Sequence, residues 1–184
     1  MNILSCIKKA TLQDGYSKET ADCLVAMMRY MMDKQLIGAC HATVSALYVA
    51  LSELGLRPEL CIGEVLAGRM PFDHSWLLVD GKVVDLACYM TLAGMGLPVS
   101  YPILFGKNAV TGNPPELTYG IQSGQGLDET TERILRMPFH LYMDCFPYEK
   151  NGLWDVVARI LPVDAQADEL RRKYKDVERH YVVY

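Results

Sequence analysis

The sequence has no Cys-x-x-Cys pair and no His-x-x-x-His or His-x-x-Glu-His spacing. Zinc sites draw paired ligands from such intervals, so no metal and no cofactor is expected. No window approaches the ~20 consecutive apolar residues that span a bilayer, which argues against a membrane partner. The opening Met1-Asn2-Ile3-Leu4-Ser5-Cys6 lacks the basic start and apolar run of a signal peptide. The six cysteines lie far apart in sequence, so the expectation is a cytoplasmic protein with reduced thiols. A dense Lys/Arg run is also missing: Arg171-Arg172-Lys173 is short and flanked by acids, and the net charge is −4. Nucleic acid is therefore not an expected partner. There is no internal repeat, linker or low-complexity tract, and nothing indicates the oligomeric state.

What is present suits one packed unit. The 184 residues are 51% hydrophobic and 9% aromatic, enough for a substantial core. The expectation is a single domain over 1–184, with a core at about 18–90 and an elaboration at about 91–184. Ser17 can cap a helix from Lys18 to Lys34, whose apolar residues Ala21, Leu24, Val25, Met28, Met31 and Met32 recur at helical spacing. A second helix is predicted from Cys40 to Leu54, with Val44, Leu47, Tyr48, Leu51 and Leu54 on one stripe and Gly55 ending it. Glu59 to Val65 reads as a strand, and Ala67 to Asp73 as a loop. His74–Val79 and Lys82–Leu86 flank Asp80-Gly81, a strong signal for a two-residue hairpin turn. That register pairs Val79 with Lys82, Trp76 with Asp85 and His74 with Ala87. By alternation His74, Trp76, Leu78, Val83, Asp85 and Ala87 then share one face. Tyr89 to Gly126, rich in Gly and Pro, reads as turns around one or two short strands. Three more helices are predicted: Glu129 to Met137 capped by Asp128, Trp154 to Leu161, and a last one from a cap at Asp164 to Arg179.

The chemistry concentrates in three residues. Cys40 stands at a predicted helix start, where partial positive charge and free N–H groups favour a thiolate. His74, on a strand, can serve as its base. Asp85, diagonal to His74 on the same face, can fix the imidazole tautomer and steady the imidazolium. The backbone N–H groups of Cys40 and His41 are natural oxyanion donors, and the Gln35 side chain can add another. Trp76 can wall the pocket or shield the ion pair. His41 adjoins Cys40 but should point about 100° away on the helix, which suits a structural or substrate-facing role better than that of base. Cys61 and Cys88 read as buried thiols, and Asp73 and Asp80 as turn residues.

Cys40-His-Ala-Thr-Val-Ser-Ala-Leu-Tyr-Val-Ala-Leu-Ser-Glu-Leu-Gly-Leu-Arg-Pro, then Leu60-Cys-Ile-Gly-Glu, His74-Ser-Trp and Val84-Asp85 resemble the transglutaminase-like core of the papain-like cysteine protease superfamily. The compactness and the His-to-Asp interval are similar to those of lasso-peptide leader peptidases. The Cys, His, Asp order is shared with arylamine N-acetyltransferases, although their Arg-Gly-Gly-x-Cys lead-in is replaced here by Leu36-Ile37-Gly38-Ala39 before Cys40. The resemblance spans about Gly38 to Ala87. It implies an α+β fold in which a Cys-bearing helix packs on an antiparallel sheet, followed here by a helical C-terminal extension. It further implies a Cys40–His74–Asp85 triad working through a thioester acyl-enzyme. The expected function is a peptidase or amidase acting on a peptide, a protein or a small amide or thioester. The alternatives are an acyltransferase or transglutaminase that passes the acyl group to an amine, and a catalytically silent binding protein. Substrate choice is expected to reside after Tyr89.

Overall fold

A computed structural model describes residues 2–91 and 100–184. The chain runs α1 (Ile3–Gln13), α2 (Lys18–Asp33), α3 (Cys40–Glu53), β1 (Pro58–Ala67), β2 (Met70–Val79) and β3 (Lys82–Val84). A 3-10 turn (Ala87–Met90), β4 (Ile103–Leu104), β5 (Lys107–Asn108) and β6 (Leu117–Ile121) follow. The last part is α4 (Glu129–Arg136), α5 (Phe139–Asp144), α6 (Leu153–Ile160), α7 (Ala167–Tyr174) and β7 (His180–Tyr181). This is an α+β fold, as the resemblance implies; α1, α5 and β7 are elements that the sequence pattern does not predict. No helix among the described residues is long and apolar enough to cross a membrane.

Local chemistry explains the helix ends. The side chains of Asn2, Ser17 and Asp128 accept backbone N–H bonds at the starts of α1, α2 and α4, which satisfies donors that a helix leaves orphaned. Gln35 ends α2 in the left-handed region at φ 51°. There its own N–H donates to Met32, and the N–H of Leu36 reaches back to Met31. Gly55 does the same for α3 at φ 83°, with the N–H of Leu56 donating to Leu51.

Helix α3 lies at the centre. Ten of its fourteen residues are buried, which differs from the single apolar stripe predicted. It is covered by α2 and α6 on one side and by β1 and β2 on the other, so nearly every face must be small or apolar. One buried apolar cluster runs from Ile3 in α1 to Tyr174 in α7, with Leu47 and Leu51 of α3 inside it. A second cluster behind the sheet gathers Cys61, Val65, Trp76, Ile103 and Tyr119.

In the main sheet β3, β2 and β1 are neighbours, and both β6 and β7 line the outer edge of β1. The strands are antiparallel except β7, which runs parallel to β1. The Asp80-Gly81 turn forms as expected, with positive φ at both residues (51° and 71°), and Val79 faces Lys82, Leu78 faces Val83 and Leu77 faces Val84. Two expectations about this hairpin need correction. Strand β2 begins at Met70, so Met70–Asp73 is strand paired with β1 rather than loop. The ladder with β3 also stops at Val84, because the N–H and C=O of Asp85 are both taken by Ile103 at 2.8 Å. Trp76 therefore does not pair with Asp85, nor His74 with Ala87, which belongs to the 3-10 turn.

Two later expectations also change. The final helix starts at Ala167, after an extended Gln166 that gives no side-chain cap, and ends at Tyr174. Beyond it the chain leaves helical geometry and pairs His180 and Tyr181 with Cys61 and Ile62. In the turn-rich stretch the structure places three short strands, β4 to β6. Gly94, Gly96 and Pro98 of that stretch lie outside the described residues.

Candidate active site

Where β3 ends, β2 continues with one edge free of β3, and the first turn of α3 meets it. Ser75 Oγ is 2.7 Å from His41 Nδ1. His74 and Cys40 line a common cleft of about 190 Å³ with Phe72, Asp73, Ala87 and Asp128. The predicted diagonal between His74 and Asp85 is realised, although the hairpin rungs meant to carry it are not. His74 Nε2–H donates to Asp85 Oδ2 at 2.7 Å, leaving Nδ1 for the thiol side. Both side chains are buried, at 3% and 0% exposure, so water competes little for this bond.

Asp85 is held from every side. Its Oδ2 also accepts the Tyr119 hydroxyl at 2.9 Å, and its Oδ1 accepts the backbone N–H of Cys88 at 3.1 Å. Burial alone would raise the Asp85 carboxyl, but His74, Tyr119 and the Cys88 N–H outweigh it and hold the group below the usual carboxylate range. His74 shows the complementary balance. Burial lowers its pKa, yet the charges of Asp85 and Cys40, and the hydrogen bonds to both, lift it to about 10.

Cys40 is the thiol whose surroundings favour ionisation. Burial opposes the thiolate, but the imidazoles of His41 and His74 bring its pKa well below the ordinary thiol value. Burial instead pushes Cys23 and Cys61 up to about 12, and Cys88 well above its ordinary value. All six cysteines are free thiols. The α3 cap residue Ala39 offers no side-chain acceptor to the first N–H groups of the helix.

The other expected site residues are distributed unevenly. His41 adjoins the thiol in the first turn of α3, where its imidazole favours the thiolate, while its Nδ1 is tied to Ser75. Trp76 does not line the cleft. It is fully buried in the second cluster, 5.2 Å from the Tyr119 ring. Gln35 is exposed and serves as the left-handed end of α2; the structure does not bring it into the cleft. Asp73, expected in a turn, stands on β2 and accepts the Asp128 N–H at 2.7 Å at the rim of the cleft. Asp80 does sit in the hairpin turn.

The sequence reading misses Ser75, Tyr119 and the Cys88 N–H. Ser75 was accessible, since alternation along β2 puts it opposite His74, toward α3. Tyr119 and Cys88 reach Asp85 through a strand pairing and a 3-10 turn that have no local signature. Among the described residues, no group of three or more His, Cys, Asp or Glu side chains is arranged to hold a metal ion. Comparison of the chain with known protein families, with curated proteins and with solved structures finds no match.

Proposed function

We propose that the protein is a cysteine-dependent acyl hydrolase with a papain-like, transglutaminase-like core, acting on an amide bond in a peptide or a smaller molecule. The observation that carries this reading is the buried Asp85–His74 pair opening onto the same cleft as a thiol at a helix start. The Cys40 sulfur attacks the amide carbonyl carbon, forming the S–C bond, and the carbonyl π electrons move to oxygen. The N–H groups at the start of α3 receive that oxyanion. As it collapses, the C–N bond breaks and the His74 imidazolium gives its proton to the departing amine, leaving a thioester. Water then attacks the thioester, His74 accepts its proton, and the S–C bond breaks to release the acid and restore the thiolate–imidazolium pair. Asp85 keeps the imidazole oriented and its charged form stabilised throughout.

The test is iodoacetamide alkylation of each cysteine, followed by mass spectrometry from pH 4 to pH 9 in wild type and His74→Ala. Fast alkylation of Cys40 alone below neutral pH, lost in His74→Ala, is the expected result. A Cys40 that reacts like an ordinary thiol in both proteins overturns the reading.

A further inference from the structure

The His74–Asp85 pair is braced by a residue from β6, two strands away from β2 on the same face of the sheet. Tyr119, in β6, is 9% exposed, and its hydroxyl donates to Asp85 Oδ2, the same oxygen that takes the His74 Nε2 proton. Its ring lies 5.2 Å from Trp76 and 6.4 Å from His74, centre to centre. A phenol that served only to fill space there could equally be a Phe. The aim of the hydroxyl comes from an irregularity in β6. Glu64 pairs with Ile121 and Val65 with Tyr119, so Gly120 is an extra residue opposite a single step of β1. Gly120 takes φ 72°, the positive-φ residue of a bulge, and such bulges re-aim neighbouring side chains. Residues 182–184 hold this bulge in place. The Tyr184 N–H donates to the Gly120 carbonyl at 2.8 Å, and the Val182 N–H donates to Ile62 at 3.0 Å. A side chain at Gly120 would run into the Tyr184 ring.

We propose that Tyr119 is a positioning residue for the His74–Asp85 pair, with residues 182–184 holding the Gly120 bulge that aims it. The consequence for the thiol rests on Cys40, His74 and Asp85 acting together as proposed above; the Tyr119–Asp85 contact does not. The hydroxyl fixes one rotamer of the carboxylate, so the lone pair facing His74 stays on the axis of Nε2–H. It also supplies one of three donors that keep Asp85 ionised in a buried place. The titratable groups facing Asp85 are His74 from β2, Tyr119 from β6 and Cys88 from the 3-10 turn. His74 is the basic side chain among these partners, and with it in place losing the Tyr119 donor still raises the pH at which Asp85 takes up a proton.

The experiment uses Tyr119→Phe, which keeps the ring packing, and Gly120→Ala, which strains the bulge. Asp85→Asn serves as the reference for complete loss. Two readouts are taken: the pH profile of Cys40 alkylation by iodoacetamide, and the proton NMR resonance of the His74 Nε2–H. In Tyr119→Phe the expected result is alkylation about tenfold slower at pH 6 and an acid limb about one pH unit higher, in line with one hydrogen bond to a charged group. The Nε2–H resonance should shift and exchange faster, with the urea midpoint close to wild type. Gly120→Ala should move both readouts in the same direction. If both readouts in Tyr119→Phe superimpose on wild type, Tyr119 only fills space and the proposal fails. If Gly120→Ala alone matches wild type, the brace fails and Tyr119 acts without it. If wild-type Cys40 alkylates slowly, the acyl-hydrolase reading fails separately, and the His74 resonance still decides the role of Tyr119.

Discussion

The Nε2 nitrogen of His74 and the Oδ2 oxygen of Asp85 lie 2.7 Å apart, with 3% and 0% of their side chains exposed. A carboxylate so enclosed is tolerable only while its partners are present. Replacing Asp85 with Ala leaves His74 buried without its acceptor, and the expected loss of stability is about 3–5 kcal/mol. Urea unfolding at pH 7 measures it. A loss close to that of an exposed ion pair, about 0.5 kcal/mol, would mean that water enters the site freely.

The same groups set an expected pH dependence of stability. The folded pKa of His74 is raised from 6.5 to about 10, so its contribution is full below pH 6.5 and is lost as pH rises toward 10. Cys40 is depressed below its ordinary 9.0, so its contribution is full above pH 9.0 and is lost as pH falls through the folded value. Between 6.5 and 9.0 the two slopes oppose each other, because the folded ion pair and the unfolded neutral pair hold the same number of protons. Asp85, lowered from 3.8, adds stability above that pH that is lost as acid protonates it. Wild type should therefore show a plateau in its urea midpoint from about pH 6.5 to 9. Cys40→Ala should instead decline steadily above pH 6.5, since only the histidine slope remains. Parallel curves for the two proteins would show that no ion pair forms.

The hydrogen bond between His41 and Ser75 gives the thiol its second imidazole. Ser75→Ala removes the partner of Nδ1 and leaves the fold nearly unchanged, so Cys40 alkylation at pH 6 should slow by about threefold to tenfold, the worth of one ordinary hydrogen bond. His41→Gln should slow it at least as much, and the double variant no more than His41→Gln alone. Additive losses in the double variant would mean that the two residues act independently.

Gly152 tests the fold away from the cleft. It precedes α6 at φ 62°, ψ −147°, a region open essentially to glycine alone. A Cβ there would also strike the Met143 carbonyl oxygen and the backbone of Asp144. Gly152→Ala should lose at least the backbone strain of about 1–3 kcal/mol, seen as a lower urea midpoint at unchanged slope. Wild-type stability in this variant would place the α5–α6 connection in a different conformation.

Much of this architecture can be read from local patterns. Ser17 and Asp128 announce their helices because capping depends on residues within one turn. Asp80-Gly81 announces its hairpin because both residues tolerate positive φ. Pairing partners distant in sequence are not legible in this way. Ile103 captures the Asp85 backbone and ends β3 early, and nothing near either residue marks that bridge. The expected His74–Asp85 contact survives because the chain between Val84 and Asp85 stays extended even without its rungs, so side-chain parity persists. Trp76 shares that parity and follows it into the second core rather than the cleft. The amide of Gln35 looked useful near Cys40 in sequence, but its backbone is committed to ending α2.

The seating of β7 against Cys61 and Ile62 bears on how the chain folds. The outer edge of β1 takes partners from β6 and from almost the last residues of the sequence, and contacts between such distant segments form late. Until they do, Cys61 and Ile62 present unpaired backbone groups on an apolar strand, the kind of edge that recruits other chains. A chain cut before His180 would keep Cys40, His74 and Asp85 but expose this edge. Its characteristic failure would be aggregation during refolding.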